Sequence, residues 1–154
     1  MINFSELWQY ATSPKGAGKL EAAGDILQYA IAWAAIVAVA FTGNVLLAHA
    51  WLYAGLCQII VVEGLKRALN HTTLGTRPNG SDHSFPSGHT AGAFFGAAFI
   101  TVVWGIWWGI IPLALAALTG VSRVVSNNHW PRDVIAGAII ATVCAYTAVH
   151  HLLG

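Results

Sequence analysis

The sequence is short of charge. Only 8% of its 154 residues are Asp, Glu, Lys or Arg, against 56% hydrophobic, whereas soluble domains carry about 25% charged residues. That scarcity excludes a water-soluble globular enzyme, which could not cover its surface with polar groups, and it excludes a disordered chain. Seven Lys/Arg stand against six Asp/Glu, a net charge of +1. No basic field therefore exists to attract a polyanion, and nucleic acid is not an expected partner. Cysteine is scarce too. Cys57 and Cys144 sit in apolar runs without CxxC spacing, which argues against a disulfide framework or a structural zinc site and for buried free thiols acting as small hydrophobes. The first residues lack a basic stretch followed by an apolar core, so no cleavable signal peptide is expected. No internal repeat or low-complexity tract is present.

What the chain has is apolar runs. Residues 26–42 and 45–65 are separated only by Gly43-Asn44, a tight-turn signal, and predict two antiparallel spans. Residues 91–125 are too long for one crossing, since a span takes about 20 residues. A break at Gly105–Pro112 predicts a third span ending near Val103 and a fourth starting near Pro112, and residues 134–153 make the fifth. Ahead of them, Phe4, Leu7, Trp8 and Ala11 share one helix face, which predicts an interfacial segment over residues 1–20. The fold class is all-α: one domain over 1–154, an integral membrane bundle of about five transmembrane helices plus an N-terminal interfacial helix.

Threaded through five spans, all thirteen charged residues fall toward one face of the membrane. Trp104, Trp107 and Trp108 mark the uncharged face, as aromatic belts do. Ordinary surface charge would populate both faces, so the asymmetry points to one localised polar site.

Two loops on that face, 66–89 and 122–133, hold Lys66, Arg77, Ser87, His89, Arg123, His129 and Asp133. Three fixed cations, a hydroxyl, two imidazoles and a carboxylate suit phosphoryl transfer, whose transition state spreads negative charge over oxygens that cations and N–H groups stabilise. Pro86-Ser87-Gly88-His89 stands where the third span begins. Ser87 is a good N-cap, the helix N-terminus attracts anions, and Gly88 admits a phosphate oxygen close to the backbone. Taken alone, the same four residues would suit an ordinary helix cap. His129 and Asp133 are four apart, with Pro131 placed for a first helical turn. Asp133 can hold one ring nitrogen of His129 and leave the other free as a nucleophile, or simply complement the helix dipole. Arg123, six residues before His129, has a snorkelling role as its alternative. His49, His71, His150 and His151 are expected to be structural or solvated. Trp130 suits either a headgroup pocket or an interfacial anchor.

Pro86-Ser87-Gly88-His89, and Ser122-Arg123 through His129 to Asp133, with Arg77-Pro78 upstream, resemble the motifs of the type 2 phosphatidic acid phosphatases (PAP2), a family that shares its site with the vanadium haloperoxidases. The resemblance covers roughly residues 60–140. One motif departs: where the family has Lys six residues before Arg-Pro, this chain has Asn70. The nearest lysine is Lys66, four residues or about one helical turn earlier, with Arg67 as the other candidate and Glu63 able to pair with either.

The resemblance implies a metal-free, cofactor-free two-step reaction. His129 attacks phosphorus and becomes a phosphohistidine, oriented by Asp133. His89 protonates the leaving oxygen and then activates water. Lys66, Arg77, Ser87, Gly88 and Arg123 hold the phosphate oxygens. A metal bound by His83, His89, His129 and Asp133 is not expected, because three neighbouring cations would repel it. The implied function is a lipid phosphatase acting on polyprenyl diphosphate, phosphatidic acid, phosphatidylglycerol phosphate or lipid A phosphate. A phosphotransferase with the same site, or a non-catalytic phospholipid-binding or transport protein, are the alternatives. The intact histidines argue against the non-catalytic one, and the displaced lysine argues for it. The positive-inside bias would put the charged face in the cytoplasm. The family's bacterial lipid phosphatases mostly face the periplasm, and the expectation here is a bacterial inner-membrane protein with a periplasmic site.

Overall fold

The computed structural model describes residues 3–154; Met1 and Ile2, at the start of the expected interfacial segment, lie outside the described residues. Six helices follow one another: α1 (Phe4–Thr12), α2 (Pro14–Thr42), α3 (Val45–Leu69), α4 (Gly88–Trp104), α5 (Ile106–Val125) and α6 (Pro131–Leu153). The described residues contain no strand.

Local chemistry sets most boundaries. Ser13 caps α2, its hydroxyl accepting from the Gly16 N–H at 3.2 Å, with Pro14 at the first helical position. The helix stops at Gly43, whose φ of 65° a side chain would resist. Asn44 then caps α3 at once, accepting from the N–H groups of Leu46 and Leu47 at 2.9 and 3.2 Å. Ser87 caps α4 and Pro131 opens α6, both as the sequence predicts.

Two boundaries differ from the sequence reading. The first spanning helix begins at Pro14 rather than near residue 26. Lys15, Lys19, Glu21 and Asp25 dilute the apolar run without interrupting the helix. The expected break over Gly105–Pro112 is a single residue. Gly105, at φ 91°, separates α4 from α5, and Pro112 lies inside α5. A proline inside a membrane helix is tolerated because neighbouring helices and local adjustments satisfy the freed carbonyl.

Four helices (α2, α3, α5 and α6) are long and apolar enough to cross a membrane, while α4 is an apolar helix of 17 residues. It is the axis of the bundle and packs against all four. Its buried face is made largely of small residues (Ala91, Ala93, Gly96, Ala97 and Ala98, with Phe95 and Phe99), so its neighbours approach closely, as membrane helices do when small side chains line the contact. Large apolar side chains point outward instead, among them Trp33, Phe41, Ile60, Trp107, Ile111 and Ile139. An outer surface of this kind belongs in lipid, and the chain is a multi-pass membrane protein. Cys57 and Cys144 are free, with sulfurs 3.4 Å apart between α3 and α6.

Candidate active site

Five segments converge at the charged end of the bundle: the second half of α3, the loop 70–87, the first turn of α4, the α5–α6 junction, and α2. The N-terminus of α4 is tied to the first turn of α6, where the Ser87 N–H donates to the Asp133 carbonyl at 2.9 Å. This one backbone bond locks the two motif loops together. At the end of α5 the Arg123 carbonyl accepts from the N–H groups of Asn128 and His129 at 3.0 and 3.1 Å. Asn127, at φ 54°, turns the chain so that the His129 side chain points inward. His129 and Arg123 are each only 2% exposed, and Asp133 is wholly buried.

A cleft of about 240 Å³ opens here, lined by Arg77, His89, Arg123, Asn128, His129, Glu21 and Asp25. Four residues singled out in the sequence therefore meet at one cavity. Asp133 stands behind His129, with Oδ2 at 3.6 Å from Nδ1. The sequence led us to expect a hydrogen bond there, and the distance is too long for one. Oδ2 instead accepts from Ser84 Oγ at 2.5 Å and from the Trp130 N–H at 3.0 Å. His129 Nδ1 and Asp133 Oδ1 are left buried without partners among the described residues. Catalytic hydrogen bonds often tighten only when substrate is bound.

Lys66 reaches the site and Arg67 does not. The Lys66 ammonium lies 3.7 Å from where a β-carbon on Gly88 would stand, and it donates to the His83 carbonyl at 3.3 Å. Arg77 Nη2 donates to the same carbonyl at 3.5 Å. The left-handed His83 backbone, at φ 62°, turns that carbonyl between the two cations. Arg67 is exposed, and Glu63 pairs with neither cation among the described residues. Asn70, at the family's lysine position, accepts from the His83 N–H at 3.0 Å and so shapes the same loop. Ser87 is wholly buried, and its Oγ accepts from the Thr90 hydroxyl at 3.0 Å; it shapes the helix N-terminus without lining the cleft. Trp130 donates from Nε1 to the Thr76 carbonyl at 3.0 Å and packs under Arg132, which fastens the loop to α6.

Sequence reasoning missed the acidic side of the cleft. Asp25 Oδ1 lies 2.9 Å from Arg123 Nη1 and 3.2 Å from His89 Nε2, and the Glu21 carbonyl accepts from Arg123 Nη2 at 2.6 Å. The Glu21 carboxylate accepts from Asn128 at 2.6 Å. The available signal was a carboxylate pair at i, i+4 on the charged end of a spanning helix, one helix face aimed at one place.

Burial and the neighbouring charges together act on the two imidazoles. Burial, then Arg77, Lys66 and His89, push His129 down to about 3, so its ring is neutral and its lone pair available throughout the physiological range. His89 precedes the apolar part of α4. Burial and then Arg123 lower its pKa, and Asp25 works in the opposite direction. The site thus joins a neutral buried imidazole, a second imidazole 3.2 Å from a carboxylate, and three cations.

A second cavity of about 420 Å³ begins at Gly88 and runs between α2, α3 and α4 toward the bilayer interior, walled by Tyr29, Trp33, Trp51, Leu52, Leu56 and Phe95 with Gln28 and Gln58. Its apolar wall fits a hydrocarbon chain.

A family model described as the PAP2 superfamily matches residues 51–153. The chain is similar to a lipid A 1-phosphatase of Porphyromonas gingivalis, 41% identical over 42% of this chain and 15% of that protein. It is 32% identical to a lipid A 4'-phosphatase of Helicobacter pylori, over 91% of this chain and 76% of that protein. It is 31% identical to the undecaprenyl-diphosphatase BcrC of Bacillus subtilis, over 79% and 68% respectively. The match to the Porphyromonas protein thus spans less than a sixth of that relative's length. No solved structure matches.

Proposed function

The chain belongs to the PAP2 superfamily, and from that premise we propose that it is a membrane lipid phosphatase that hydrolyses the phosphate of an amphiphilic lipid through a phosphohistidine. The observation that carries this reading is the neutral, buried His129 at the wall of a small cleft, with Arg77 and Arg123 beside it and His89 on the same cavity.

In the first step His129 Nε2 attacks phosphorus in line, the N–P bond forms, and the bond from phosphorus to the lipid oxygen breaks. His89 gives its proton to that oxygen. In the second step His89 takes a proton from water, the water oxygen attacks phosphorus, and the N–P bond breaks to release inorganic phosphate. Asp133 stabilises the positive imidazole formed between the two steps. Arg77, Arg123 and Lys66, with the N–H groups at Gly88, hold the equatorial oxygens, whose charge grows in the transition state. The lipid chain lies in the apolar cavity that starts at Gly88. Ser87 contributes as the cap that shapes this helix end. The relatives named for lipid A and undecaprenyl diphosphate set the range of headgroups, and phosphatidic acid and phosphatidylglycerol phosphate complete it. We place the protein in a bacterial inner membrane with the cleft toward the periplasm, as the family resemblance implies; labelling of a His71→Cys variant by an impermeant thiol reagent in intact cells, against lysed cells, checks the side.

The test is phosphate release by the detergent-purified protein from a panel of lipid phosphates, in EDTA, beside His129→Ala. Release that disappears in His129→Ala, together with an acid-labile, alkali-stable labelled phosphoprotein that forms in the parent and not in the variant, supports the reading. No release from any lipid overturns hydrolysis.

A further inference from the structure

Gln58 stands out in the apolar cavity. It is a primary amide on a membrane-crossing helix, only 7% exposed, and makes no side-chain hydrogen bond among the described residues; the buried Nε1 of Trp51, two turns away on the same cavity, is likewise without a partner. Hydrocarbon offers an amide nothing, so polar side chains at such depth are paired or serve a ligand. Gln28 on the opposite wall is already engaged, donating from Nε2 to the Asp25 carbonyl at 3.2 Å.

The depth of Gln58 can be read from the helix register. α3 and α4 run antiparallel. A β-carbon on Gly88 would stand 3.9 Å from Val62, and one on Gly55 would stand 3.3 Å from Phe95. Gln58 therefore lies one turn below Val62, about 6 Å farther from the charged end than Gly88. The same cavity begins at Gly88, beside the Lys66 ammonium. A lipid whose phosphate sits at the α4 N-terminus must pass Gln58 with the atoms that follow the phosphate by one helical turn.

We propose, resting on the phosphatase reading above, that Gln58 binds an acyl carbonyl of the substrate, so that acylated lipid phosphates are this enzyme's substrate class and polyprenyl phosphates are not. In a diacylglycerol phosphate or an acylated glucosamine phosphate, ester or amide carbonyls follow the phosphate at this spacing, and the Gln58 N–H group donates to one of them. A polyprenyl chain presents only hydrocarbon there and leaves the amide unpaired, which penalises binding more than the missing bond alone.

The test compares three probes of similar chain length: dioctanoyl phosphatidic acid, its dialkyl ether analogue without carbonyls, and farnesyl phosphate. A diacylated glucosamine 1-phosphate separates the two acylated sources. The wild type is expected to favour both acylated probes over the ether and farnesyl probes by about three- to tenfold in kcat/KM. Gln58→Leu is expected to bring the ester-to-ether ratio within about twofold, with the ether probe still turned over, which shows that the variant folds. Gln58→Met, closer in shape, should behave alike. Equal wild-type turnover of ester and ether probes, or a preference that survives in Gln58→Leu, overturns the proposal. Binding of the same lipids by native mass spectrometry gives an arm independent of turnover. If no lipid releases phosphate, the phosphatase reading falls, and the ester-over-ether binding ratio in wild type and Gln58→Leu still decides the role of Gln58.

Discussion

Gly137→Ala places a single methyl group on the seam that holds the site together. Gly137 lies one turn beyond Asp133 on α6, against the start of α4. A β-carbon there would stand 2.5 Å from the Ser87 carbonyl oxygen and 3.3 Å from the Ala91 nitrogen. Those two atoms are themselves hydrogen-bonded at 3.0 Å and form the first turn of α4. Both obstacles are backbone, so no side chain can swing aside. Ordinary contact begins near 3.4 Å, and the first turn of α4, with His89 in it, must therefore move by about 0.9 Å, the difference between 3.4 and 2.5 Å. A misplacement of about 1 Å in reacting groups can cost about a hundredfold in rate. We expect kcat/KM to fall by about ten- to a hundredfold, about 1.4 to 2.7 kcal/mol of transition-state stabilisation. Overpacking of this kind costs about 1–3 kcal/mol of stability. The assay is phosphate release from a lipid phosphate, with thermal unfolding measured beside it. Gly64→Ala, where the added carbon meets nothing within 4 Å, is the control and should leave activity unchanged and thermal unfolding unchanged or slightly higher. A folded Gly137→Ala protein with activity within threefold of wild type would refute the seam as the determinant of His89 placement.

Three further outcomes follow from the charges at the cleft. Because His129 is held at about 3, its protonation does not set the acid limb of kcat/KM above about pH 4. Lys66→Met or Arg77→Met removes a cation that lowers the pKa of His129, so the limb should move to higher pH. The stability consequence has a definite sign: the folded pKa lies below the unfolded value of about 6.5, so this contribution is intact above that pH and is lost as pH falls toward 3, which acid unfolding curves of wild type and His129→Gln would reveal. Asp25→Asn removes a carboxylate 2.9 Å from Arg123 and 3.2 Å from His89. It should bind inorganic phosphate or vanadate about two- to fivefold more tightly, the gain limited by the half-exposed position of Asp25, while the basic limb of kcat shifts to lower pH. Turnover should persist in EDTA, because the developing charge is met by three side-chain cations; loss of activity that added divalent metal restores would refute this.

Much of the bundle was legible because hydrophobicity in a membrane chain is nearly a direct readout of burial in lipid. The runs over 26–42, 45–65 and 134–153 fall inside α2, α3 and α6, and the Gly43-Asn44 turn is where a positive φ and an N-cap are both needed. The first turns of α2 were hidden, since four charged residues over 15–25 lower the hydropathy of a segment whose helix geometry is unbroken. The α4–α5 joint was drawn too long, because Pro112 reads as a breaker in water and not in lipid. In the site, the groups carried by short local motifs were readable: Ser87 as a cap, and His89, Arg123 and His129 at one cavity wall. Lys66 was only one of two candidates, because four residues of offset can be absorbed either by the helix or by the loop. The structure resolves the placement through a long side chain that reaches back to Gly88. Ser84 was out of reach, and the spacing of Glu21 and Asp25 marks a shared helix face without naming their partners. Their roles arise from contacts with Asp133, Asn128, Arg123 and His89 across 49 to 107 positions, and no local pattern names such distant partners.

The brevity of α4 has a consequence for the membrane around it. At 17 residues it measures about 26 Å, while the hydrocarbon core of a typical bilayer is about 30 Å thick. Its partners, at 20 to 29 residues, are longer and hold the mismatch in place. The Gly88 end of α4, level with Val62, stops about two turns short of the end of α3 at Leu69. Each ångström of hydrophobic mismatch costs a fraction of a kcal/mol. A bundle with one short member is expected to respond to the thickness of its host bilayer, and phosphate release in vesicles should therefore vary with the acyl-chain length of the surrounding lipid.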